Sequence, residues 1–182
     1  MNTMDAFNKL SIAISNPSLS INQKLTYICQ TIKQVVKHSH RVSLWAFKDD
    51  YSEIVKIGGF DHENKFTYGD VLTRSDYPEY FDYILNHETL NAGNARTHQA
   101  TSCFNNTYFE QKSIHSLLDF IYHHDFKPTG IICCEAINSE VEWDLECVNK
   151  LKRIANISSI FFSKNIHDIE GGKEALLSST TT

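Results

Sequence analysis

The chain has 182 residues, 41% of them hydrophobic, with a formal net charge of -5 and a pI near 6.0. A chain of this size suits one domain and buries roughly 68–70% of its unfolded surface without a disulfide or metal staple. Scattered basic residues on an acidic chain exclude a nucleic-acid footprint; no stretch reaches the roughly 20 apolar residues of a spanning helix, and the polar run after Met1 is no secretory signal, so a soluble cytoplasmic protein is expected.

Met4, Phe7, Leu10 and Ile14 recur at helical spacing and predict an N-terminal helix that stops at Asn16-Pro17. Ser20 and Gln23 make a capping box ahead of Ile21, Leu25, Ile28, Cys29, Ile32, Val35 and Val36, which predicts a second amphipathic helix. Strands follow at 41–47 and 53–60 around Lys48-Asp-Asp-Tyr-Ser52, a hairpin turn by composition, and a short third strand is expected at 65–68. Asp76 and Glu79 repeat the capping-box pattern with Pro78 in the first turn, before a short helix whose aromatic face holds Tyr77, Tyr80 and Phe81. A brief strand at 89–92, a loop at 93–101 and a short helix at 102–111 follow, the last with Phe104, Tyr108 and Phe109 on one side.

The run from 114 to 143 is the most informative. It reads as two strands, 114–122 and 130–137, apolar on both faces yet each carrying one carboxylate, Asp119 or Glu135. Burying a carboxylate in a doubly covered strand is costly unless something pairs with it. A long helix at 142–162 then presents Cys147, Val148, Leu151, Ile154, Ala155, Ser158 and Phe162 on one face. Residues 163–182 contain Gly171-Gly172 and end in Ser-Ser-Thr-Thr-Thr, a composition that reads as a linker or disordered tail. The chain therefore divides into an N-terminal helix and connection at 1–20, a core at 21–162 and the tail at 163–182.

Helices at both ends, antiparallel strands, inserted central helices and a closing hairpin describe an α+β protein. Its antiparallel sheet of about five or six strands carries the terminal helices on one face and the central helices and loops on the other. The stretches Arg41-Val-Ser-Leu-Trp-Ala-Phe47, Ser75-Asp-Tyr-Pro-Glu-Tyr-Phe81, Asn94-Ala-Arg-Thr-His-Gln-Ala-Thr101, Ser116-Leu-Leu-Asp119 and Gly130-Ile-Ile-Cys-Cys-Glu135, with Trp143 after them, resemble the GAF domains. The variety they resemble stands at the N-terminus of bacterial histidine kinases and diguanylate cyclases, and the likeness covers 21–162 in order. It departs from that pattern at Asn94, where aspartate is common, and at Phe120-Ile121, in place of a small residue and proline. The resemblance implies a PAS-related fold, a small-molecule sensing role in signal transduction, and a homodimer bundled through the terminal helices.

A hairpin turning around Asp125 pairs positions whose numbers sum to about 250, so that His115 opposes Glu135, Leu117 opposes Cys133 and Asp119 opposes Ile131. His115, Asp119 and Glu135 then share one face, with Ser116, Leu118, Cys134 and Ala136 on the other. Beneath the central helices, Tyr77, Tyr80, Phe81 and Phe104 would wall a cavity floored by Trp45, with Arg96 and His98 in the loop above and Arg96 placed to clamp Asp119. Two readings stay open: the carboxylates hold a donor-rich or cationic ligand, or they accept bonds from covering loops and His115 while the aromatics fill the core.

Catalytic motifs are absent: there is no Gly-x-Ser-x-Gly elbow, phosphate-binding glycine loop or His-Glu-x-x-His. The five cysteines lack metal spacing and read as buried thiols, and the His38/His40 and His123/His124 pairs read as solvated turn residues, so neither metal nor cofactor is expected. Free methionine sulfoxide reductases share the GAF fold and use cysteines, which singles out Cys103, Cys133 and Cys134. Adjacent Cys133 and Cys134 point to opposite faces, and Cys103 at a helix start is expected to have a lowered pKa. Bilin attachment in related photosensors resembles a Cys-His pair, whereas Phe104 follows Cys103; haem would need an axial ligand such as His115. The resulting expectation is a non-catalytic sensor of an unknown small molecule, with a ligand-free dimerisation spacer and the thiol reductase as alternatives.

Overall fold

The computed structural model describes residues 3–178, with side chains described over 5–164. Helix α1 (Thr3–Ser15) buries Ala6, Phe7, Leu10 and Ala13; Met4, the first residue of the expected face, lies outside the described side chains. Helix α2 (Ile21–Val35) begins with the expected capping box. The Gln23 amide donates to Ser20 Oγ at 3.3 Å and the Ser20 amide donates to Gln23 Oε1 at 2.8 Å, satisfying two otherwise unpaired donors.

Strands β1 (Arg41–Phe47) and β2 (Glu53–Phe60) form the first hairpin. The third strand is β3 (Val71–Thr73) rather than 65–68. Residues 61–65 close a turn in which Asp61 Oδ1 accepts from the Glu63 and Lys65 amides, and the segment beyond contributes one isolated bridge, Phe60 to Phe66. Gly69, at φ +89, bends the chain, so the regular ladder against β2 forms only after it. Helix α3 (Pro78–Asn86) also departs from expectation: Pro78 at the first helical position makes Tyr77 the N-cap, so the Asp76/Glu79 box is one residue out of step. The Asp76 carboxylate instead accepts from Thr73 Oγ1 at 2.7 Å.

After β4 (Thr89–Ala92), the stretch read as one regular helix winds as a 3₁₀ turn (Ser102–Phe104), a π turn (Asn105–Phe109) and a short α4 (Glu110–Lys112). Thr101 Oγ1 donating to the Ala95 carbonyl and Asn105 Nδ2 donating to that of Arg96 pin this segment to the preceding loop. Strands β5 (Ile114–His124) and β6 (Lys127–Ile137) close the sheet, and α5 (Leu145–Ser178) begins at Asp144, whose Oδ1 accepts from the Cys147 amide at 2.8 Å. The α5 backbone continues past Phe162 and through Gly171-Gly172; residues 179–182, the end of the expected tail, lie outside the described residues.

The six strands run in the order β3-β2-β1-β6-β5-β4, antiparallel throughout. On one face Val42, Leu44 and Ala46 of β1, Leu118 and Phe120 of β5 and Ile132 and Cys134 of β6 pack with apolar residues of α1, α2 and α5. On the other, Leu117 and Ile121 with Ile131 and Cys133 meet α3 and the 3₁₀/π segment. This is the expected two-sided α+β arrangement.

The hairpin register differs from the expected sum by two. Asp125 and Phe126, at φ 48 and 63, make a two-residue turn of type I′ geometry, pairing His124 with Lys127. A bulge between Tyr122 and His123 then sets Leu117 opposite Glu135 and Asp119 opposite Cys133. A shift of two preserves faces, so Asp119 and Glu135 share a face as expected. A second irregularity, between Ile114 and Ser116, removes His115 from that alternation.

Candidate functional site

On the face away from the terminal helices lies a cavity of about 110 Å³. Trp45 forms its floor, Phe104, Tyr108 and Phe109 descend from the 3₁₀/π segment, and Ile54 and Leu72 close the side nearest β3. Its polar wall is a diagonal across β5 and β6: Asp119, Cys133 and Glu135, with Tyr80 of α3 above.

Asp119 is 1% exposed. Tyr80 Oη donates to its Oδ2 at 2.6 Å, while Oδ1 is buried with no hydrogen-bond partner. Burial pushes this carboxyl up to about 7, against the stabilising effect of Cys133 and Tyr80 on its anion, and the nearby Glu135 charge reinforces the rise. Burial and Asp119 likewise hold the Tyr80 hydroxyl well above its usual range. Near neutrality the cavity thus contains a carboxyl poised between its two states and one unsatisfied oxygen, which costs about 1–3 kcal/mol to leave unpaired and more when the group is ionised.

Glu135 is solved differently. Arg41, directly opposite it in the β1–β6 ladder, donates from Nε to Glu135 Oε2 at 2.7 Å, and Tyr108 Oη donates to the same oxygen at 3.1 Å. Arg41 Nη2 also donates to Tyr108 Oη at 3.2 Å, closing a three-membered network. Burial works against the Arg41 charge, but Glu135 and Tyr108 hold its pKa above the ordinary value. The same burial, with the Glu135 charge, raises Tyr108 and keeps its hydroxyl a donor.

Five of the nine residues expected at the site line the cavity: Trp45, Tyr80, Phe104, Asp119 and Glu135. Tyr77 stands behind the wall, its ring 4.4 Å from that of Phe104, and Phe81 is core, edge-on to Phe47 and Tyr80. Arg96 does not clamp Asp119. It donates from Nε to the Ile114 carbonyl at 2.8 Å and from Nη2 to the Phe109 carbonyl at 3.4 Å, stapling the π turn to the start of β5. His115 pairs with neither carboxylate; its carbonyl accepts from the Ala95 amide, and the bulge keeps it off the cavity.

Sequence reasoning missed Arg41, Tyr108 and Cys133. A signal for Arg41 is present in the sequence, since Trp45 is expected in the cavity and period two places Arg41 on the same face of β1. Tyr108 lies one helical turn beyond Phe104, and that spacing is the signal for it. The thiols are not activated: burial raises Cys133 and Cys134 and also raises Cys103, contrary to the expected lowering. Among the described residues, no group of three or more His, Cys, Asp or Glu is placed to hold a metal ion, and no helix is long and apolar enough to cross a membrane.

No sequence-family profile and no curated protein match this chain. Solved structures do. The GAF domain of an Acinetobacter phosphoenolpyruvate-protein phosphotransferase is similar at TM-score 0.70 and 14% identity, over 94% of this chain and 99% of that one. The GAF domain of a two-component sensor histidine kinase from Bacillus halodurans is similar at TM-score 0.64 and 11% identity, over 81% and 96%. A phycocyanobilin-bound GAF domain from a cyanobacterial phytochrome is similar at TM-score 0.69 and 13% identity, over 92% and 97%. At these identities the likeness is one of fold, and the chain has the GAF fold.

Proposed function

We propose that this GAF-fold chain is a non-catalytic sensory module that binds a small molecule between its sheet and the α3 side, as the cytoplasmic input domain of a histidine kinase or diguanylate cyclase. The observation that carries this reading is the unsatisfied Asp119 Oδ1 on the polar wall of a mostly apolar cavity. A core with no ligand to receive has little reason to keep a fully buried acceptor without a donor. The similar domains from a sensor kinase and a phytochrome support a regulatory role.

The sheet offers a short route from pocket to helices. Tyr122 Oη donates to the carbonyl of Trp45 at 2.7 Å, and its ring stacks on Phe162 of α5 at 4.2 Å. A ligand that displaces Trp45 would pull on this bond and shift α5, which in a dimer bundled through the terminal helices changes the register passed to an effector. Ile12 of α1 and Ile160 of α5, exposed by 69% and 65%, are apolar residues such a dimer would cover.

One observation favours a ligand-free dimerisation spacer instead: 110 Å³ is small beside ligand pockets of about 300–1,000 Å³. A thermal-shift screen of small metabolites on the wild type and on L117F, which fills the cavity from β5, separates the two. Ligands that raise the Tm of the wild type but not of a folded L117F support the sensor; a screen with no such ligand supports the spacer.

A further inference from the structure

The acceptor and donor inventory of the cavity names a ligand class, an inference that rests on the ligand-binding reading above. With Asp119 ionised, every polar group on the wall either lacks a donor or has already spent its own, the Cys133 thiol on the Asp119 carboxylate. Asp119 Oδ1 accepts nothing. Tyr80 gives its only proton to Asp119, and Tyr108 gives its own to Glu135. Among the described residues no lysine, arginine or histidine lines the space, and the Arg41 guanidinium is bound to Glu135 and Tyr108. At the mouth, Asp70 adds a third carboxylate, paired with Lys56 at 3.1 Å. With Glu135 neutralised by Arg41 and Asp70 by Lys56, Asp119 is the carboxylate on the wall without a cation. A phosphate or carboxylate ligand would meet acceptors and no free cation; a donor-bearing cation would meet its complement.

We infer that the pocket binds a small alkylammonium ion, its N–H groups bonded to Asp119 Oδ1 and its apolar body held among Trp45, Leu72, Phe104 and Phe109. The aromatic faces add attraction for a cation close by. The space limits the body. A cavity of about 150 Å³ admits benzene, so this one suits an ion of about four to six heavy atoms unless the wall moves. Other groups facing the carboxyl are Tyr80 from α3, Cys133 and Glu135 from β6, and the apolar Leu90 opposite it on β4; none supplies a positive charge. Because Asp119 binds the ion as a carboxylate, complex formation below its pKa of about 7 releases a proton.

Isobutylammonium, isobutyrate and isobutanol share one carbon skeleton and differ in charge, so calorimetry and thermal shift with these three on the whole chain test the inference. Isobutylammonium raises the Tm while the other two do not, D119N weakens its binding by about tenfold or more, and near pH 6 its heat of binding varies with the ionisation enthalpy of the buffer. An anion or alcohol bound as tightly as the amine, or D119N retaining wild-type affinity, overturns the ligand class. If either of those two ligands binds and L117F abolishes it, the sensory pocket stands without this ligand class. Silence of all three, together with a silent metabolite screen, removes the pocket reading itself.

Discussion

Replacing Asp119 by asparagine keeps the side-chain volume and leaves Tyr80 an oxygen to donate to, but it removes the titration. The folded carboxyl is raised to about 7, whereas an unfolded aspartate titrates near 3.8. Between those values the native state binds more protons than the unfolded chain, so this group's contribution is greatest at low pH and is lost as pH rises towards and past 7. Integrating the two titration curves between pH 5 and pH 8 gives a loss of roughly 2–3 kcal/mol in the wild type relative to D119N, a large share of a typical domain's 5–15 kcal/mol. The asparagine amide meets the same unpartnered environment at both pH values, so its own cost cancels in the comparison. Urea denaturation of the two proteins at both pH values measures the difference directly. A stability gap that stays flat, or that moves in the wild type's favour as pH rises, refutes the claim that Asp119 is an uncompensated buried carboxyl.

Breaking the neighbouring pair gives the opposite pattern. R41M leaves Glu135 buried without its cation and is expected to cost about 3–5 kcal/mol in urea unfolding, while R41M/E135Q recovers most of that loss. At Gly130 a Cβ would lie 2.0 Å from the Trp45 carbonyl oxygen and 2.1 Å from Tyr122 Oη, so G130A is expected to destabilise by about 1–3 kcal/mol and to change Trp45 fluorescence. S20A removes a working cap and costs about 1 kcal/mol, whereas D76A, outside the helix it was expected to cap, changes unfolding by less than about 0.5 kcal/mol.

The strands of the first hairpin and the short strand at 89–92 were legible because alternation and turn composition agree there. Where two signals competed, local reasoning slipped. The Asp76/Glu79 box is a genuine pattern, but Pro78 moves the helix start by one residue. The strand expected at 65–68 ignored Gly69, whose positive φ bends the chain before the ladder resumes. The faces of Asp119 and Glu135 survived a wrong register because the error was even, while His115 did not, since a bulge has no signature in a single sequence. The partners of the two carboxylates come from residues 39 and 94 positions away, Tyr80 and Arg41, and only the assembled sheet brings them together. Arg96 had the right charge for a clamp, but the backbone carbonyls of Ile114 in β5 and Phe109 in the π turn take its donors.

On the function proposed above, the space under Tyr80 and Phe104 receives a ligand at Asp119. Methyl and amide NMR shifts of the chain titrated with isobutylammonium chloride test it most directly. Saturable changes are expected at Leu117, Leu72, Ile54 and the Asp119 amide, with smaller changes along the stretch of α5 near Phe162. Changes confined to the outer faces of the terminal helices, or none that saturate, contradict it.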